Sequence, residues 1–211
     1  MTQNRPVRTP VALAVLNLLA EREMHPYEMR RVMSERGHEW IIKFRGGLVY
    51  HTIQRLHEAG MIEPTETTRE GRYPERTVYR LTEVGRAELL EWMRELVAVP
   101  VREYPIFTAT LAFLPSLPLD LVIDLLERRI VHLQSNIAAE ETALQQTTSV
   151  LRLRRIHLIE SEFSVARQRA ELAYVQQLVR ELRDGTLPWE FGIDDPAAGE
   201  RPPAGGGDQM A

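Results

Sequence analysis

Between Leu48 and Leu90 the apolar pattern changes its period twice, and few folds accommodate both changes in so short a span. Val49, Ile53 and Leu56 recur at helical spacing and leave Tyr50, His51, Gln54 and Arg55 on the other side of the same helix. Gly60 ends that helix. Two β-leaning segments follow, Met61–Thr68 and Arg76–Leu81, around Arg69–Glu75, where Gly71 and Pro74 mark a turn. Pro64 cannot donate a ladder hydrogen bond, so the pair reads as a two-stranded edge ribbon. Thr82 then caps another helix, with Leu89, Leu90, Met93 and Val97 at its apolar positions.

Upstream, Thr9 is a helix N-cap and Pro10 occupies the first helical position, where a missing N–H costs nothing. Ala12, Val15, Leu16 and Leu19 form one stripe of that helix. Pro26 opens a second helix that buries Met29, Val32 and Met33 and stops at Gly37. Gly46–Gly47 breaks the chain before the third helix, Leu48–Ala59. Three helices, a hairpin and a further helix make a winged helix-turn-helix, so residues 9–97 are expected to form an N-terminal domain of that kind in a mainly α chain.

Residues 98–105 read as a linker, and 106–190 as a helical domain with one short and two long helices. Leu119–Thr147 carries Leu119, Val122, Leu126, Ile130, Leu133, Ile137 and Leu144. Val150–Asp184 carries Ile156, Ile159, Phe163, Ala166, Ala170 and Ala173. Alternating steps of three and four make a coiled-coil seam, and the alanines admit a close second helix. Leu126, Leu133, Ile156, Ile159, Phe163, Ala166 and Ala170 are therefore the expected dimerisation residues. An intramolecular hairpin packing only on itself is the competing arrangement. Residues 192–211 hold Pro202, Pro203 and Gly205–Gly207, and too little apolar surface to fold; a disordered tail is expected.

Net charge is −4, which by itself argues against a nucleic-acid partner. Its distribution softens that: residues 1–97 carry 15 basic and 14 acidic side chains, whereas 98–211 carry 11 and 16. DNA affinity would then depend on where individual arginines stand rather than on bulk attraction. The chain has no cysteine, which removes disulfides and thiolate metal sites. No apolar run approaches the roughly 20 residues that span a bilayer, and Met1–Pro10 has no signal-peptide core, so no membrane association and a cytoplasmic location are expected. No His-Glu-x-x-His, phosphate-binding glycine loop or Ser, His and Asp set stands out. His51 and His57 are six apart, on different helix faces. Neither catalysis, a cofactor nor a metal is expected.

Three segments carry a resemblance: Leu16–Met33, Gly47–Glu63 and Gly71–Leu90. Pro26, Tyr27, Glu28 and Met29 stand where the PadR family of bacterial transcriptional regulators has Gly-Tyr-Glu-aliphatic, and Val49–Tyr50 where it has Leu-Tyr. Arg55 to Ile62 resembles its Arg-Leu-Glu-x-x-Gly-Leu-Ile helix end, with His57 in place of Glu. Tyr79, Leu81, Thr82 and Gly85 match its Tyr-x-Leu-Thr-x-x-Gly exit from the wing. The chain is similar to the longer members, with a helical C-terminal domain. The resemblance covers about residues 10–95 by motif and 100–190 by helical pattern only. It implies a homodimeric regulator, read as a repressor, on a palindromic operator. It also implies that some members take planar aromatic compounds beside a tryptophan of the fourth helix.

On that reading the DNA-facing residues are Lys43, Arg45, Tyr50, His51, Gln54, Arg55, Arg69, Arg72 and Arg76. Gln54 can pair bidentately with adenine and Arg55 with guanine or a phosphate; Tyr50 and His51 can donate to phosphate. Lys43 and Arg45 precede the third helix, whose free N–H groups also suit a phosphate. Arg69, Arg72 and Arg76 sit at the wing tip, suited to a minor groove. Trp40 is expected to be a packing residue. Trp92, Tyr104 and Phe107 are the candidate pocket for a small planar aromatic effector, with interdomain packing as the plainer role. The alternative function is a winged-helix protein–protein module that binds no DNA.

Overall fold

The computed structural model describes residues 8–43, 46–68, 76–149 and 152–189. The chain divides into two compact units, Met1–Arg102 and Glu103–Ala211. The expected wing turn at Arg69–Glu75 and the expected tail at 192–211 lie outside the described residues.

The first unit is built from α1 (Pro10–Glu21), α2 (Pro26–Glu35), a 3-10 turn (His38–Trp40), α3 (Gly46–Glu58), strands β1 (Ile62–Thr68) and β2 (Arg76–Leu81), and α4 (Glu83–Ala98). The Thr9 side chain accepts from the Ala12 N–H at 3.2 Å, capping α1 with Pro10 behind it. Ala12, Val15, Leu16 and Leu19 are buried, and so are Val11, Ala14 and Leu18. α1 is thus the central helix of the unit, covered on more than one side. Met29, Val32 and Met33 from α2 and Val49, Ile53 and Leu56 from α3 complete the core. Two details depart from the sequence reading. Gly46 and Gly47 are the first residues of α3 rather than a break before it. On α4 only Leu89 of the four apolar positions is buried; Leu90, Met93 and Val97 are exposed, and Trp92 takes the core place.

The hairpin is antiparallel, with Ile62 opposite Leu81 and Thr68 opposite Arg76. Its register shifts between Pro64 and Glu66. Pro64 stands opposite Tyr79, whose N–H and carbonyl turn to Met24, so the ladder asks no N–H of the proline. On its other side β2 meets Met24: the Met24 and Tyr79 N–H groups each donate to the other's carbonyl at 3.1 Å. The ribbon is therefore pinned to the helical core by a single-residue bridge. A lone bridging residue leaves no periodicity, which is why the sequence reads as two strands only.

The join from α3 through the hairpin to α4 is tight. Gly60 has φ +70°, the left-handed conformation that a side chain disfavours. Thr82 Oγ1 accepts from the Gly85 N–H at 3.0 Å, and its own proton faces the carbonyls of Gly60 at 2.8 Å and Met61 at 3.0 Å. One hydroxyl thus caps α4 and ties it to the end of α3. Thr82→Ala is expected to cost about 1 kcal/mol of stability by thermal unfolding, and Thr82→Ser to recover most of it. His57 adds a second tie. Its Nδ1 lies 3.2 Å from the Ile62 carbonyl, which requires the proton on Nδ1, and its ring meets Tyr79 edge-on at 6.1 Å.

The second unit contains α5 (Ile106–Ala112), α6 (Leu119–Ser149) and α7 (Ile159–Asp184). Glu127 pairs with Arg183 and Glu141 with Arg169, so α6 and α7 run antiparallel. Val122, Leu126, Val175, Leu178, Val179 and Leu182 form their core. The Trp189 indole N–H closes one end by donating to the Leu117 carbonyl at 3.2 Å. α7 starts nine residues later than the expected Val150: Arg152 has φ +50° and Arg155–His157 forms a 3-10 turn. An antiparallel return needs such a connection, and the apolar spacing runs through it without marking it.

Candidate nucleic-acid interface

The outer face of α3 is set by what its inner face buries. With Val49, Thr52, Ile53 and Leu56 turned inward, Tyr50, His51, Gln54 and Arg55 are exposed side by side. Lys43 is exposed just before the helix. The structure brings these five predicted residues to one region. Arg45, Arg69 and Arg72 lie outside the described residues, and Arg76 is the first residue of β2.

Most of the described arginines elsewhere in the unit are ion-paired, Arg30 and Arg86 excepted. Arg8 binds Glu88 and Glu95; Arg22 binds Glu28; Arg31 binds Glu35; Arg36 binds Glu21; Arg80 binds Glu63. The hydrogen bond from Arg36 holds the Glu21 carboxyl below its ordinary value, and that from Arg22 does the same to Glu28. Among the described residues the side chains of Lys43 and Arg55 have neither an ion pair nor a hydrogen bond. Their charge is uncompensated locally, which is the condition for attracting a phosphate.

Gln54 is less free than its position implied. Its Nε2 donates to Glu58 Oε1 at 2.9 Å, one turn along α3. The carbonyl oxygen and one N–H remain, which still suffices for a bidentate pair with adenine. Missing from the sequence reading are Ile41, Ile42 and Leu48, which converge beside Arg55 from two segments. No single periodicity contains them.

The three aromatic residues expected around an effector fall in different units. Trp92 is buried in the first, with the Arg8 guanidinium 6.0 Å from its ring centroid. Tyr104 in the second is 79% exposed. Phe107 packs against the second core, with the Arg129 guanidinium 3.5 Å over its ring and Glu171 holding that arginine. The expected dimer seam also divides. Leu126 and Leu133 are buried in the second unit, whereas Ile156, Ile159, Phe163, Ala166 and Ala170 are exposed. Among the described residues no three His, Cys, Asp or Glu side chains are placed to hold a metal ion, and no helix is long and apolar enough to cross a membrane.

Residues 15–91 match the model of the Transcriptional regulator PadR-like family. Residues 15–91 thus form a PadR-like domain. Comparison with curated protein sequences returns no match. Among solved structures, Bacillus subtilis PadR in complex with operator DNA is similar at TM-score 0.64 and 18% identity, covering 82% of this chain and 99% of that one. The same protein in complex with p-coumaric acid gives TM-score 0.65 at 15% identity, over 82% of this chain and 98% of that one. The Vibrio cholerae virulence activator AphA gives 0.60 at 17% identity, over 83% and 99%. At such identities the likeness is one of fold, an N-terminal winged helix-turn-helix with C-terminal helices, and it extends beyond the PadR-like domain.

Proposed function

We propose that the chain is a repressor that binds double-stranded DNA as a homodimer, with α3 in the major groove and the wing beside it. The observation that carries this is the pair of unpartnered cations, Lys43 and Arg55, at a helix face that also presents Tyr50, His51 and Gln54. The fold's likeness to a PadR solved on operator DNA supports it. A protein–protein module would need no uncompensated charge there. Two copies of α3 require an operator with two half-sites, whose major grooves lie about one helical turn apart, roughly 34–36 Å, or a multiple of that. Full affinity for a single half-site would contradict the dimeric reading.

Fluorescence anisotropy with a promoter fragment, repeated across salt concentrations, tests the interface. Arg55→Ala is expected to weaken binding and to make the salt slope shallower by about one unit if it meets a phosphate. Gln54→Ala is expected to relax preference at one base pair, by roughly 1–3 kcal/mol. Equal losses on every sequence for both variants would show that Gln54 reads no base. Arg69, Arg72 and Arg76 keep their proposed wing contacts, and Arg45 its place before α3.

The regulatory part of the reading is a planar aromatic effector, supported by the likeness to the p-coumaric acid complex. Trp92, Tyr104 and Phe107 are the proposed contacts. Two of them are already committed to their own unit's packing, so Tyr104 is the one whose ring is largely exposed in the single chain. Release of DNA by such a compound, with affinity unchanged by Tyr104→Ala and Trp92→Phe, would move the site elsewhere.

A further inference from the structure

Glu58 is the last residue of α3, where an acidic side chain faces the negative end of the helix dipole. The dipole of α3 therefore does not favour it, and neither does the charge pairing of the unit. Glu21, Glu28, Glu35, Glu63 and Glu88 each pair with an arginine, whereas among the described residues Glu58 joins no ion pair. Its Oε1 accepts instead from Gln54 Nε2 at 2.9 Å, one turn back along the exposed face of α3.

That hydrogen bond decides which way round the Gln54 carboxamide stands. A carboxylate only accepts, so the amide nitrogen, never its oxygen, turns to Glu58. The nitrogen then lies toward the C-terminal end of α3 and the oxygen away from it, and the second N–H and the oxygen stay available in that order. An A·T pair shows the major groove an adenine N7 acceptor beside the N6 donor, and a T·A pair shows the same two groups reversed. An amide free to turn over matches either pair. A held one matches only one.

We propose that Glu58, by fixing the order of donor and acceptor on Gln54, makes the chain select A·T over T·A, or the reverse, at the base pair that Gln54 reads. This deepens the reading of α3 as the major-groove helix and rests on it. Glu58 touches no base; it is a positioning residue that acts through Gln54. In water an exposed i, i+4 side-chain pair holds only weakly. With α3 in the groove water is displaced, and a hydrogen bond to a charged acceptor strengthens in the lower dielectric. The discrimination therefore develops in the complex, where it is read.

The test is selection by the full chain from a duplex library with a randomised core, followed by sequencing of the bound fraction. At one position of each half-site the unaltered chain is expected to enrich one orientation of an A·T pair over its reverse by about fivefold or more. Gln54→Ala is expected to lose all preference there. Glu58→Ala and Glu58→Gln are expected to bring the two orientations within about twofold of each other, both still enriched over G·C and C·G. A glutamine side chain carries a donor as well as an acceptor, so it holds the amide either way round. Glu58→Asp keeps a group that only accepts and is expected to keep the preference. Circular dichroism of each variant is expected to stay native, because Glu58 is exposed. An unchanged ratio of the two orientations in Glu58→Ala overturns the proposal. So does a uniform flattening of every position in the site, the mark of a merely structural residue. If Gln54→Ala alters no position, or no site is enriched at all, the reading of Gln54 falls and the proposal with it. An effect of Gln54→Ala without one of Glu58→Ala removes the proposal alone.

Discussion

Phe163→Asp is expected to leave the chain monomeric and to weaken operator binding by about 10²–10⁴-fold, the factor gained when a second binding event becomes intramolecular. In the single chain the α7 face that carries Ile159, Phe163, Ala166 and Ala170 is turned to solvent, as is Ile156 in the 3-10 turn before it, and Phe163 is 64% exposed. The opposite face, through Val165, Val175, Leu178 and Leu182, is already buried. A soluble monomer rarely leaves so continuous an apolar stripe in water, whereas a second copy would cover it. Because Phe163 is not part of the α6–α7 core, the charge should leave helix content and thermal unfolding of the monomer nearly intact. Sedimentation velocity separates the outcomes. A Phe163→Asp protein that stays dimeric would place the interface elsewhere.

Gly85→Ala is expected to be the most destabilising single-methyl change in the first unit. A Cβ at this position would stand 2.0 Å from the Met61 carbonyl oxygen and 2.9 Å from Leu81 Cδ1. That carbonyl is held in place by the Thr82 N–H at 3.0 Å and by the Thr82 hydroxyl. Relief therefore means pulling α4 away from the end of α3, at a cost of about 3 kcal/mol, the upper end of ordinary overpacking. For a unit of this size the loss corresponds to a fall in its Tm of roughly 12–24 °C. Operator affinity should fall with it, since α3 and the ribbon lose their common anchor. A Tm within about 2 °C of the parent would show that the junction gives way cheaply.

The order of elements was legible because each element carries its own local signal. Thr9–Pro10 and Thr82 announce helix starts, and Gly60 a helix end; Val49, Ile53 and Leu56 give α3 its inward face. What the sequence concealed is pairing between segments. Met24 against Tyr79 is one residue long, and Ile41 and Leu48 line one cleft from separate segments; neither leaves a period to count. On α4 and α7 the residue types are apolar on more than one side, so spacing alone does not say which stripe the chain buries by itself. It buries Leu89 and Trp92 but not Leu90, and Val165 but not Phe163. The exposed face of α3 was read correctly as a face, yet the hold of Glu58 on Gln54 could only be seen with both side chains in place.

The carboxylate partners of the N-terminal arginines bear on how such a regulator would find its site. Arg8, Arg22, Arg31, Arg36 and Arg80 are each matched to a glutamate, and the whole chain is acidic. A surface so neutralised adheres poorly to arbitrary sequence, and a genome offers about 10⁶–10⁹ competing positions. Discrimination is a ratio, so weak adhesion to those competitors raises it as effectively as a stronger grip on the operator. Fewer molecules are then held on irrelevant DNA, and a small pool suffices to occupy the correct site.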